Sequence, residues 1–132
     1  MNTKHYTSIE QSKKLLELGL NPESADMLYQ SLTGDTYPEV IRVNLSSKHW
    51  GILYPDTYIP CWSLGALLEL MPETIILDEH VAFGKLKRVN AIWNVYYESN
   101  FSYREEDSSE LIKAVYSMIC WLLEFGYINK EK

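Results

Sequence analysis

Chemistry in this chain would have to come from three His, two Cys and eighteen Asp and Glu side chains. His5, His49 and His80 stand alone, with no second His or Cys at metal-ligand spacing. Asp78 and Glu79 precede His80, but on a strand only Asp78 would share the histidine's face. A metal needs three or four converging ligands, so a solvated loop is the better account and no metal is expected. Cys61 paired with His49 or His80 would make a nucleophile if the thiol sat at the N-terminus of a following helix, where thiolate is favoured. Pro60 and Trp62 on either side argue for a sulfur turned inward, and Ile119-Cys120-Trp121 has the same apolar character. No Gly-x-Ser-x-Gly turn occurs, and the six glycines are scattered singly, so no loop cradles phosphate. Paired carboxylates of glycosidase type meet only in a fold and stay open here. No catalytic residue and no cofactor are assigned. A small enzyme with a Cys or carboxylate site assembled in the fold stands as the second reading.

Two clusters point to binding instead. Trp50, Tyr54, Tyr58 and Trp62 fall within 13 residues that also hold Pro55 and Pro60. Aromatic side chains on a proline-restricted segment contribute contact area at small entropic cost, so Trp50, Tyr54 and Tyr58 are candidate protein-binding residues. The competing account places the tryptophans in the core and the tyrosines over it with their hydroxyls in water. Lys85, Lys87 and Arg88 form the basic cluster. On a strand, Lys85 and Lys87 share one face and Arg88 the other. With Trp93, Tyr96 and Tyr97 nearby they would make a small single-stranded nucleic-acid platform. The plainer account is a solvent-facing edge kept soluble by lysine.

Those groups must be positioned by a chain of 132 residues, 46% hydrophobic, with 12 basic and 18 acidic side chains and a formal charge of −6. That is enough for a real core and excludes a disordered, collagen-like or membrane-spanning chain. The acidic balance makes nucleic acid an unexpected partner. The first residues have no apolar run behind them, so no secretory leader is expected. With both thiols read as reduced, the cytoplasm is the expected compartment.

Thr7 and Glu10 form a capping box that predicts a first helix ending at Gly19. Asn21-Pro22 predicts an immediate second helix to about Tyr29 or Leu32, and so an N-terminal helical hairpin. Val40–Leu45 reads as a strand and Trp50–Tyr54 as its partner, whereas Tyr58–Trp62 reads as irregular and unfit for a central strand. Ser63 caps a helix over Leu64–Met71 that Pro72 closes. Residues 73–84 are unassigned, with Thr74–Leu77 open as strand or turn. Leu86–Val89 and Ile92–Glu98 read as strands joined at Asn90-Ala91, followed by a loop over Ser99–Arg104. Asp107 with Glu110 caps a long amphipathic helix bearing the stripe Leu111, Val115, Met118, Leu122 and Phe125, and Gly126 stops it. Residues 129–132 are a polar tail. The expected fold is a single α+β domain over 1–132: an N-terminal helical hairpin, one small antiparallel sheet, and helices on one face of it.

Two stretches carry a resemblance. One is Thr7-Ser8-Ile9-Glu10-Gln11-Ser12-Lys13-Lys14-Leu15-Leu16-Glu17-Leu18-Gly19-Leu20, with Pro22 and Ala25-Asp26-Met27. The other is Tyr58-Ile59-Pro60-Cys61-Trp62-Ser63-Leu64-Gly65-Ala66-Leu67-Leu68-Glu69-Leu70-Met71-Pro72. With Trp93–Tyr97 and Met118–Glu124, they make most of the chain resemble a family of small uncharacterised proteins of gut anaerobic bacteria, their prophages and mobile elements. Thr33–Lys48 falls outside the resemblance and reads as a variable insertion. The resemblance implies a bacterial or phage-encoded cytoplasmic protein, with no activity, cofactor or catalytic residue attached. The expected function is therefore a non-enzymatic accessory factor that binds an unidentified protein partner. A homodimer is expected if the amphipathic helices leave apolar surface uncovered.

Overall fold

The computed structural model describes residues 5–30, 39–42 and 58–128. They fall into two compact units, one within Met1–Ala66 and one within Leu67–Asn129. Both combine helix with antiparallel sheet, so the fold class is α+β.

In the first unit, helix α1 (Ile9–Glu17) opens with a capping box one residue later than expected, at Ser8 and Gln11. Ser8 Oγ accepts from the Gln11 N–H at 3.1 Å, and Gln11 Oε1 accepts from the Ser8 N–H at 2.9 Å. Thr7 is diverted from capping because it is fully buried and bonded across the unit. Gly19 (φ 97°) stops the helix in a Schellman motif, with Leu20 N–H donating to Leu15 O and Gly19 N–H to Leu16 O.

The second helix of the expected hairpin is not there. Asn21 does cap, through Oδ1 and the Glu23 N–H, but only a single 3-10 turn follows (Pro22–Ser24). Ala25 is already extended, and strand β1 (Met27–Gln30) begins two residues on. Leu28 and Tyr29 are 3% and 2% exposed. A run buried on successive residues suits a central strand covered on both faces, and pairing overrides local helix preference. β1 lies between β2 (Glu39–Arg42) and β3 (Tyr58–Cys61), both antiparallel to it, with Leu28 opposite Ile41 on one side and Pro60 on the other. The segment read as irregular is thus an edge strand, the place where a proline without N–H costs no ladder bond. The partner strand expected at Trp50–Tyr54 lies outside the described residues. Met27, Tyr29 and Cys61 form one core cluster here, with Tyr6, Ile9 and Ile59 against it.

Helix α2 (Leu64–Leu70) is capped by Ser63, whose Oγ accepts from the Ala66 N–H at 3.1 Å. Asp26 holds that serine, accepting from its N–H at 2.9 Å and its hydroxyl at 2.5 Å.

The second unit is a four-stranded meander: β4 (Thr74–Leu77), β5 (His80–Val89), β6 (Ile92–Glu98) and β7 (Tyr103–Ser108), in that spatial order. A second sheet was not expected. Both tight turns have positive φ at two non-glycine residues, Asp78 (51°) and Glu79 (69°), then Asn90 (53°) and Ala91 (65°). That is the primed-turn geometry whose twist matches a two-residue hairpin. The β5–β6 register runs from Phe83–Glu98 to Val89–Ile92. The unassigned residues 73–84 therefore supply β4 and the first half of β5.

Strand β7 corrects another expectation. Tyr103–Ser108 pairs with β6, so Asp107 and its acidic neighbours are strand residues, not a helix cap. Few of these residues favour strand by themselves, and pairing with β6 decides the matter. Helix α3 (Leu111–Glu124) starts at Glu110, which makes no side-chain cap bond. It lies on β6 and β7 and buries Ile112, Val115, Met118, Ile119, Leu122 and Leu123. Gly126 (φ 79°) ends it in a second Schellman motif, with Tyr127 N–H on Leu122 O.

Candidate binding surface on the four-stranded sheet

Side chains alternate across a strand, so the register divides this sheet into two faces. Ile75, Ala82, Val95 and Tyr97 point inward and are buried. Tyr97 donates its hydroxyl to the Pro72 carbonyl at 2.6 Å, and burial pushes its pKa above the ordinary tyrosine value. Gly84 sits opposite Tyr97, and a Cβ there would stand 3.0 Å from the ring. Arg104 also faces inward, 4.9 Å from the Trp121 ring of α3 and paired with Glu106.

The outer face is different. Ile76, Val81, Phe83 and Tyr103 are 57%, 50%, 55% and 50% exposed. Phe101, in the β6–β7 turn, is 75% exposed and stacks on His80 at 4.4 Å. Four large apolar groups on one sheet face exceed the scattered singles normal for a surface. Beside them lies a polar cleft of about 320 Å³ bordered by Val81, Phe83, Lys85 and Glu98. On the inner side, a more apolar cleft of about 240 Å³ is lined by Leu68, Met71, Pro72, Leu86 and Val95.

The basic cluster is placed on β5 as the sequence implied, with Lys85 and Lys87 outward and Arg88 inward. Lys85 pairs with Glu98 at 2.8 Å, and that hydrogen bond raises its pKa. Lys87 lies 4.8 Å from the Tyr96 ring centre, and Arg88 lies 5.4 Å from that of Trp93. Tyr96 in turn packs on Tyr103 at 5.4 Å. Tyr103 donates to Glu105, and desolvation together with that bond pushes its pKa up to about 12. Glu98, Glu105 and Asp107 share the outer face with these lysines. Trp50 and Tyr54 lie outside the described residues, as does the side chain of Tyr58, whose backbone opens β3.

Cys61 is fully buried. Its thiol donates to the Thr7 carbonyl at 3.4 Å, and burial pushes its pKa up to about 11, so it stays protonated at neutral pH. His49 lies outside the described residues. Asp78 accepts from the Ser102 hydroxyl at 2.9 Å, so the acidic group beside His80 is part of a turn. Among the described residues, no three His, Cys, Asp or Glu side chains converge to hold a metal ion. No helix among them is long and apolar enough to cross a membrane.

Sequence reasoning passed over Ile76, Val81, Phe83, Phe101 and Tyr103. The signal for β5 was present, since small Ala82 and Gly84 alternate with large Val81, Phe83 and Lys85. Alternation cannot say which set faces inward until the covering helix is placed. No protein-family model matches the chain, and neither a curated protein nor a solved structure matches it.

Proposed function

We propose that the protein is a non-enzymatic protein-binding factor whose contact surface is the outer face of the β4–β7 sheet. The observation that carries this reading is the set Ile76, Val81, Phe83 and Tyr103, all half-exposed on one face while the opposite face holds the core. Ile76, Val81 and Phe83 are neighbours on β4 and β5, and clustered apolar surface of this kind marks interaction sites. Glu98, Glu105 and Asp107 on the same face disfavour a polyanion, so the partner is a protein and not a nucleic acid. The inert state of Cys61 weighs against the enzymatic reading. The resemblance of the Tyr58–Pro72 segment to proteins of gut bacteria and their mobile elements supports an accessory role in a bacterial cytoplasm. The test compares wild type with Val81→Ser/Phe83→Ser in cross-linking from the native host, alongside sedimentation of each. These half-exposed strand changes should cost about 1–2 kcal/mol, small enough to leave the fold intact. A partner, or a second copy of the chain, should be lost from the variant. Equal recovery by both proteins refutes the reading.

A further inference from the structure

We propose that the bare edge of β5 from Leu86 to Arg88 accepts an extended acidic peptide as a fifth strand of this sheet. The register shows where the edge is bare. Across a two-residue hairpin, Val89 and Ile92 exchange ladder bonds, as do Lys87 with Asn94 and Lys85 with Tyr96. Gly84, Leu86 and Arg88 therefore turn their N–H and C=O groups away from β6. Gly84 uses its N–H on the Glu73 carbonyl at 2.9 Å, the last bond of the β4 lane. Beyond it, Met71 and Pro72 leave the ladder, and from Lys85 to Val89 no described strand pairs with β5 on the side away from β6. Leu86 is 44% exposed, and Arg88 and Val89 are also exposed, so among the described residues of this unit nothing covers this edge.

Charge selects the occupant. Five cations lie within 67–129: Lys85, Lys87, Arg88, Arg104 and Lys113. Three of them are on this half of β5, and among the described residues Lys87 and Arg88 pair with no carboxylate. A second copy docked edge to edge would bring the Lys87 and Arg88 side chains of both chains together, the arrangement edge lysines prevent. An acidic strand meets no such repulsion.

The lane also sets an order of residue types. A strand continuing the β4 direction runs antiparallel to β5, so from its N-terminus it faces Arg88, then Lys87, then Leu86. Cross-strand neighbours share a face. Acid, acid, aliphatic is the matching sequence, and the aliphatic side chain, not an acidic one, enters the cleft lined by Leu68, Met71, Pro72 and Glu73. Main-chain bonds supply affinity in this mode, and the side chains supply selectivity.

The experiment uses fluorescein-labelled Ser-Thr-Glu-Glu-Val-Thr-Ser, measured by anisotropy against the full chain, with amide exchange followed by NMR. Saturable binding is expected, with exchange at Leu86 and Arg88 slowed about tenfold or more by the new hydrogen bonds. Replacing Glu-Glu by Lys-Lys, or using Lys87→Glu/Arg88→Glu protein, should weaken binding at least about tenfold. N-methylation of the first Glu or of Val removes an amide aimed at β5 and should abolish binding. N-methylation of the second Glu, whose amide points away, should be tolerated. Equal binding of the Lys-Lys peptide, indifference to the position of the N-methyl group, or no added protection at Leu86 and Arg88 would each overturn the proposal. So would the absence of saturable binding, or a dimer that buries this edge. The outer-face reading is tested by Val81→Ser/Phe83→Ser, which leaves this edge intact, so the two can fail separately.

Discussion

Replacing Thr7 with valine should destabilise the first unit more than its single lost oxygen suggests. Thr7 is fully buried and links α1, β1 and the residue after β3. Its Oγ1 accepts the Trp62 N–H at 3.1 Å and lies 2.8 Å from Ser12 Oγ. Its carbonyl accepts the Tyr29 hydroxyl at 2.7 Å. Valine keeps the branched shape but leaves the buried Trp62 N–H without an acceptor. A buried donor left unpaired costs about 1–3 kcal/mol. Ser12 loses less, because a helical serine can turn its hydroxyl to a carbonyl in the preceding turn. We expect about 2–3 kcal/mol in all, which at 2 kcal/mol raises the unfolded-to-folded ratio about 30-fold. Thr7→Ser keeps every polar contact and loses one methyl, at about 1 kcal/mol. Urea denaturation followed by tryptophan fluorescence ranks the three proteins. If Thr7→Val is no less stable than Thr7→Ser, the hydroxyl is not holding Trp62 and the reasoning is refuted.

Three further predictions concern the interior and one helix end. Cys61 is raised from an ordinary 9.0 to about 11 by burial, so the folded protein keeps its thiol proton longer than the unfolded chain does. That stability is fully present below about pH 9 and lost as pH rises toward about 11, amounting to roughly 3 kcal/mol. Denaturation curves between those pH values should be flatter for Cys61→Ala than for wild type, and an equal slope counts against a buried thiol. Gly84→Ala places a methyl 3.0 Å from the Tyr97 ring, which is itself tied to Pro72, and should cost about 1–3 kcal/mol by overpacking. A melting temperature at or above wild type would show that the ring yields freely. Glu110→Ser should add the missing cap to α3 and gain about 0.5–1 kcal/mol, less whatever the Glu110–Lys113 pair contributes. A lower melting temperature would show that the ion pair outweighs the cap.

How far the sequence can be read depends on how local the deciding interaction is. Ser63 is a cap in both readings because capping engages an N–H three residues away. The Asn90-Ala91 turn was legible from its flanking strands, although alanine at φ 65° is disfavoured and the register had to come from pairing. Asn21-Pro22 shows where such signals stop. The cap formed, yet Met27–Gln30 became a strand because β2 and β3 flank it. Tyr103–Ser108 failed for the same reason, since its acidic residues match a helix start as well as an outward-facing strand. Lys85, Lys87 and Arg88 were found by composition, but their rings and ion pair are cross-strand and so invisible in one segment.

By itself, the sequence determined the fold class, the caps at Asn21 and Ser63, the two glycine stops and the absence of any local catalytic motif. These depend on bonds within one turn or on side-chain chemistry at adjacent positions. The tertiary structure decided which face of the sheet holds the core and which exposes Val81 and Phe83. It also decided where the β4 lane ends, leaving the main-chain groups of Leu86 and Arg88 that face away from β6 without a partner among the described residues. Those outcomes follow from pairing and burial between distant segments, where alternate side chains are equivalent until a helix covers one set.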